Sequence, residues 1–381
     1  MKNQPQRLNH SMLAITASMF LCLGLTANAQ KLPESMTWTS YDVGSAGYAE
    51  ASAMADAFGK KFTTRIRIQP SGSSIGRLQP IVQGRADFGY LATETWFATE
   101  GTEDFANRRW GPQNLRTLAG RPAAFGMPTA ADAKIRTFAD LKGKRLAYVA
   151  GNPSLNVKCD AYIAFGGLTR KDVQLIMFPT YAAAMSSLAQ GKADATCTTP
   201  TTSQLYELES SPRGIHWIGA DPSNKQAWNG MNAVAPFFAP YKETVGAGMS
   251  EKNPAQLMSY RYPIIVTRAD VKADDVYAFM KAMDETFNMY KGATKVMPRW
   301  NLNVAGTPPI DAPFHEGAVR YLKERGTWTA EHEAWNQKRL KRLNVLIAAW
   351  ADVLKEGKSL SDEEFAKLWE TRRTKVIASL N

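Results

Sequence analysis

The sequence is poor in the residues that build metal and redox centres. Its 381 residues include only three Cys and four His. That count excludes a Cys-rich zinc framework and leaves a His-rich metal centre without a ligand cluster. Neither G-x-S-x-G nor H-E-x-x-H occurs, so two familiar hydrolase signatures are missing. His216, His315 and His332 are scattered and read as structural or exposed, and no spacing joins them to a nucleophile. Charged residues, at 21%, are somewhat scarce for a globular chain, while a hydrophobic share of 44% excludes an intrinsically disordered one. The net charge of +11 leaves nucleic acid, anionic membranes and anionic small molecules all open as partners.

Long apolar runs are scarce too. The one near the start, residues 11–25, follows Lys2 and Arg7 and precedes the small residues Ala27-Asn28-Ala29. A basic segment, a short apolar run and a small-residue cleavage site, in that order, predict a signal peptide over 1–29 and a periplasmic destination. No later stretch offers the roughly 20 apolar residues that a spanning helix needs, so a soluble exported chain is expected. Cleavage would also remove Cys22. Cys159 and Cys197 then remain, and in an oxidising compartment they either pair or stay as two buried thiols; sequence leaves both readings open. Export argues against ATP-driven or nicotinamide chemistry, so no cofactor is expected. It also argues against nucleic acid, and Lys338-Arg339-Leu340-Lys341-Arg342 reads as a solvated helix face.

What the sequence does have is an α/β pattern stated twice. Strand-like 36–41, 65–69 and 86–91 alternate with helical 49–61 and 75–83. About 100 residues on, strands at 144–150, 173–178 and 193–198 alternate with helices at 157–165 and 181–190. Mostly parallel strands in two similar lobes, with a cleft between them, follow from this order. Residues 224–260 read as loops and short strands, 262–267 as a strand and 276–290 as a helix. Three helical stretches, 314–324, 330–355 and 362–378, close the chain. Three strand-to-helix loops carry small polar residues: Gly44-Ser45, Ser71-Gly72-Ser73-Ser74 and Ser154-Leu155-Asn156. Free N–H groups at helix starts attract anions, and such loops gather at the carboxyl ends of parallel strands. Ordinary N-capping favours the same residues.

Several segments carry a family likeness. They are Gln69-Pro70-Ser71-Gly72-Ser73-Ser74-Ile75-Gly76, Gly84-Arg85-Ala86-Asp87-Phe88-Gly89 followed by Ala92-Thr93-Glu94, Asp140-Leu141-Lys142-Gly143-Lys144-Arg145, and Leu188-Ala189-Gln190-Gly191-Lys192-Ala193-Asp194-Ala195. Val266-Thr267-Arg268-Ala269-Asp270 and His315-Glu316-Gly317-Ala318-Val319-Arg320-Tyr321 follow in order. Over roughly 37–328 the chain resembles the TAXI-type solute receptors of tripartite ATP-independent periplasmic (TRAP) transporters. The resemblance implies a type II periplasmic-binding-protein fold, α/β and two-lobed, with a hinge and an interlobe cleft. Lobe one would comprise 30–128 and 261–328, lobe two 129–260, and a helical extension 329–381. It implies a monomeric, non-enzymatic receptor that closes on a small carboxylate, glutamate-like or a dicarboxylate, and hands it to a TRAP permease. Carried over by motif position, the binding residues are Ser45, Ser71, Gly72, Ser73, Ser74, Thr93, Glu94, Ser154, Asn156 and Tyr181. Thr198 and Thr199 are added by extrapolation, and Arg77 and Arg121 are candidate partners for a carboxylate. The rival readings are a secreted hydrolase, or a receptor serving another uptake system or a sensor kinase.

Overall fold

The computed structural model describes Met1 and residues 31–380; beyond Met1, the signal peptide predicted over 1–29, with Cys22, lies outside the described residues. The first unit runs β1 (Ser35–Tyr41), α1 (Ala46–Phe62), β2 (Arg65–Ser71), α2 (Ser74–Val82), β3 (Phe88–Leu91), α3 (Glu94–Glu100) and β4 (Leu115–Phe125). The second holds β5 (Pro128–Ala130), β6 (Arg145–Val149), α4 (Pro153–Phe165), β7 (Gln174–Phe178), α5 (Tyr181–Ala189), α6 (Ser203–Ser210), β8 (Ile215–Trp217) and α7 (Lys225–Val234). The chain then returns through β9 (Ala239–Glu243) and β10 (Ala255–Arg268) to α8 (Ala273–Glu285), α9 (Phe287–Tyr290), α10 (Leu302–Ala305) and α11 (Glu316–Glu324). It ends in α12 (Ala330–Glu356) and α13 (Asp362–Ala378).

The first lobe is built on a sheet of order β2-β1-β3-β10-β4, with β9 beside β10. β2, β1 and β3 are parallel, whereas β10 runs antiparallel to its neighbours. Trp38 lies at the centre of its core, 5.3–5.8 Å from the rings of Phe58, Tyr90 and Phe279. In the second lobe β6 pairs with β7 and β5 with β8. The strand expected over 193–198 is reduced to single bridges, because its backbone is shared: Ala195 lies opposite Leu146 on one side and Thr129 on the other. Those bridges join the two strand pairs.

Two further expectations need correction. Residues 224–260 contain a helix, α7, capped by Asn224, and the predicted strand at 262–267 is the end of a 14-residue one. That strand, β10, pairs with β4 from Met258↔Phe125 to Arg268↔Leu115, with an irregularity between Arg261 and Ile264, where Pro263 has no N–H to give the ladder. Two long strands side by side connect the lobes and bring Phe125, Tyr260 and Tyr262 to the junction.

The basic run at 338–342 is not a solvated face throughout. Lys338 and Lys341 are exposed, but Arg342 grips the buried Glu100 with two bonds of 2.7 Å, and Arg339 and Arg373 reach the same carboxylate at 3.2 and 2.8 Å. Helical periodicity puts positions 339 and 342, three apart, on the inner side of α12 and the lysines outside. Trp350 packs edge-on against Phe365 and Trp369 at 5.2 and 4.8 Å, which closes α12 on α13 and both on the first lobe. Among the described residues no helix is long and apolar enough to cross a membrane, and no group of His, Cys, Asp or Glu could hold a metal ion.

Candidate functional site

The lobes meet where α2 and α4 point their N-termini at each other. Ser73 caps α2, its Oγ accepting from Gly76 N at 3.1 Å. Asn152 caps α4 and accepts from Leu155 N at 3.1 Å. The two caps are tied together: Ser74 Oγ donates to Asn152 Oδ1 at 2.6 Å, and Ile75 N donates to Gly151 O at 3.3 Å. Further along the seam Tyr181 N donates to Gly72 O at 3.1 Å and Ala182 N to Asp42 Oδ2 at 3.0 Å. Ser203 Oγ donates to Gly44 O at the outer edge. The cleft is therefore shut.

Behind this seam lies a cavity of about 30 Å³, lined by Tyr41, Arg77, Asn152, Ser154, Lys158, Tyr181, Thr199, Tyr260 and Tyr262 together with Ala92, Phe125 and Leu155. That is room for a water or two, and well short of the roughly 300 Å³ at which ligand pockets begin. Burial pushes the hydroxyls of Tyr41, Tyr260 and Tyr262 up, so they stay neutral. Tyr181 Oη hydrogen-bonds Thr202 at 2.7 Å and also meets Thr198.

The cations here differ in how they are satisfied. Arg77, stacked 4.0 Å above the Tyr41 ring, is held by Glu94 at 2.9 Å and by Ser71 O at 3.2 Å. Arg121 forms a fork on Glu50, two bonds of 2.6 Å, and Trp300 Nε1 binds the same carboxylate at 2.7 Å. Lys158 has no carboxylate within ion-pair distance among the described residues. Its ammonium meets Ser154 Oγ at 3.5 Å and sits 3.7 Å over the Tyr260 ring and 4.7 Å from that of Phe125. It is 1% exposed. Burial lowers its pKa to about 7, against the opposing pull of Glu94 and Asp311. Asp311 is pushed up, again by burial.

Of the residues named from sequence, Arg77, Ser154, Tyr181 and Thr199 line the cavity, and Ser74, Glu94 and Thr198 stand directly behind it. Others have structural partners. Ser45 caps α1, Ser71 Oγ accepts from Ser73 N, Gly72 supplies a carbonyl to the seam, and Asn156 uses both ends of its amide on Val149 of β6. Thr93 is buried with its hydroxyl unpartnered, and Arg121 is filled by Glu50. Sequence reasoning missed Tyr41, Asn152, Lys158, Tyr260 and Tyr262. One signal pointed to Lys158: it is a lone cation between Val157 and Cys159 in a helix that is apolar on nearly all sides. Cys159 and Cys197 are joined in a disulfide, Cα atoms 5.5 Å apart. The bond links the helix that carries Ser154 and Lys158 to the segment that carries Thr198 and Thr199.

A family model described as the NMT1-like family matches residues 41–326, three quarters of the sequence. The chain belongs to the NMT1-like family. The match covers both lobes and stops before the α12–α13 hairpin. No curated protein is similar enough to match. Among solved structures, the chain is similar to the alkanesulfonate-binding protein SsuA from Xanthomonas axonopodis pv. citri bound to MOPS, at 15% identity over 77% of this chain and 84% of that one, with a TM-score of 0.45. It is similar to the periplasmic aliphatic sulphonate binding protein SsuA from Escherichia coli at 14% identity, over 81% and 92% of the two chains, TM-score 0.40. A periplasmic binding protein from Brucella ovis with glutathione bound gives 12% identity, 67% and 68% coverage and a TM-score of 0.43.

Proposed function

We propose that this NMT1-like protein is a periplasmic receptor that captures a small organic anion, a carboxylate, between its lobes and delivers it to a TRAP-type membrane permease. The observation that carries the ligand class is the polar seam around a tyrosine-lined cavity, where two capped helix N-termini and the buried ammonium of Lys158 converge. Helix N-termini and a buried cation both favour negative charge. The lobes divide near residues 128 and 260, with β4 and β10 as the hinge about which they part. Arg77, Ser154, Tyr181, Thr199 and Asn152 would then meet the ligand, with Ser74, Glu94 and Thr198 holding them in place. The permease assignment rests on the sequence resemblance to TAXI receptors.

A thermal-shift screen of pyruvate, L-glutamate, succinate and 2-oxoglutarate, with glucose as a neutral control, tests the ligand class. A receptor gains stability as RT ln(1 + [L]/Kd), about 2.7 kcal/mol at one hundred times Kd. At least one acid should raise Tm while glucose leaves it unmoved. No shift with any of the acids at millimolar concentration would overturn the reading, and turnover of a generic ester would replace it with a hydrolase.

A further inference from the structure

We propose that Lys158 is the specificity-determining residue of the cleft, and that it selects ligands of a single net negative charge by taking up one proton as the anion arrives. The inference rests on the receptor reading above and narrows it.

The charges around the cavity nearly cancel before any ligand enters. Arg77 is matched by Glu94 and Arg121 by Glu50. Both carboxylates are fully buried, and so are both guanidinium groups. Asp311 lies near Lys158 without contact and is shared with Arg339 and Arg261, so Lys158 is left over, with one long contact to Ser154 and two aromatic rings against its ammonium. Rings stabilise a cation but do not replace an ion pair or water. One unmatched cation calls for one negative charge. A doubly charged ligand would leave a surplus buried charge, which costs more than a rim charge would.

The groups that face Lys158 decide its proton. From the first lobe these are Glu94 and Arg77, and from the segment before α11 it is Asp311. Tyr260 and Tyr262 of β10, Tyr41 of β1 and Tyr181 of α5 line the same cavity and are neutral. In the shut cleft no protein carboxylate touches the ammonium, and burial pulls its pKa down from the ordinary 10.5 to about 7. A carboxylate against Nζ supplies the missing charge and restores the ordinary protonated state. Above that pH, binding therefore draws one proton from solvent onto Nζ.

Isothermal titration at about pH 8, in two buffers of different ionisation enthalpy, reads the proton count directly. Singly charged pyruvate and L-glutamate and doubly charged succinate serve as probes. The wild-type protein should take up about one proton per singly charged anion bound and bind succinate more weakly. Lys158→Met should lose about 30-fold or more in affinity, as truncation of a buried charge partner does. Lys158→Arg carries a permanent charge and should bind without proton uptake. Anion binding by the wild type with no proton uptake, tighter binding of succinate, or uptake that persists in Lys158→Arg and so places the proton on Asp311, would each overturn this inference while leaving the receptor reading standing. No binding of any probe by the wild type would overturn both.

Discussion

Two buried charges in this molecule have opposite surroundings. Glu100 is contacted by Arg339, Arg342 and Arg373, and that cluster fastens the C-terminal hairpin to the first lobe. Lys158 has no charged partner at all within bonding distance among the described residues. A buried charge with a surplus of partners stabilises a fixed arrangement, because taking any element away exposes the rest to an uncompensated interior. A buried charge without one is a standing cost that folding must offset elsewhere. The comparison separates a charge whose partners hold two parts of the protein together from a charge that holds nothing in place.

Glu100→Ala probes the first kind and has the largest expected effect. Removing the carboxylate strands three guanidinium groups, so stability should fall by about 3–5 kcal/mol in urea melts. A drop under about 1 kcal/mol would mean that Trp350, Phe365 and Trp369 hold the hairpin unaided. Next in size is the disulfide. Cys159→Ser opens a cross-link between residues 38 apart, and about 2–4 kcal/mol should be lost, with weaker anion binding because α4 and the 197–199 segment are no longer tied. Unchanged binding in that variant would show that the two cleft walls keep their places without it.

Lys158→Met should behave in the opposite way. It removes a desolvated charge and fills the same space, so the folded state should gain about 1 kcal/mol near neutral pH even as anion affinity is lost. The pH dependence carries the same sign. Lys158 titrates lower in the folded protein than its ordinary 10.5, so the unfolded chain binds more protons between about pH 7 and that value. Wild-type stability should therefore rise relative to Lys158→Met across this window, and a flat difference would contradict the lowered titration. The smallest effect is on the acid side. Burial pushes the Glu100 carboxyl up, but the hydrogen bond from Arg342 and the charges of the three arginines outweigh it and hold it below its ordinary 4.5. Its contribution is present above that pH and lost as pH falls through the lower folded value. A melt series from pH 6 to 3 should show the hairpin loosening in wild type and no such step in Glu100→Gln.

Much of the fold was legible because period and punctuation agree. The helices α2, α5, α12 and α13 have Ser or Thr caps and end near Gly or a polar break, and each was placed within a residue or two. The elements misread were those where tertiary contact overrides pattern. β10 mixes Gln, Ser, Arg and two Tyr with its apolar residues over 255–262 and looks like loop until β4 and β9 are seen on either side of it. The 193–198 segment has strand composition, but its hydrogen bonds are divided between two neighbours. The candidate site was legible in its loops and not in its charges. Ser73, Ser74 and Ser154 sit where strand-to-helix turns must lie, whereas the matching of Arg121 with Glu50, 71 residues apart, depends on which helix crosses which strand. The same holds for Lys158, whose isolation is a fact about Glu94 and Asp311 lying near it without contact.

The shut seam has a kinetic meaning. A cavity of about 30 Å³ admits no organic acid, so every binding event must wait for the Ser74–Asn152, Gly72–Tyr181 and Asp42–Ala182 bonds to part. Measured affinity is then the intrinsic affinity scaled by the fraction of molecules that happen to be open. Observed association rates should level off at high anion concentration, at the frequency with which the lobes separate unaided. Weakening the latch at its edge, as in Asp42→Ala, should raise that plateau without touching Lys158 or the residues proposed to meet the ligand.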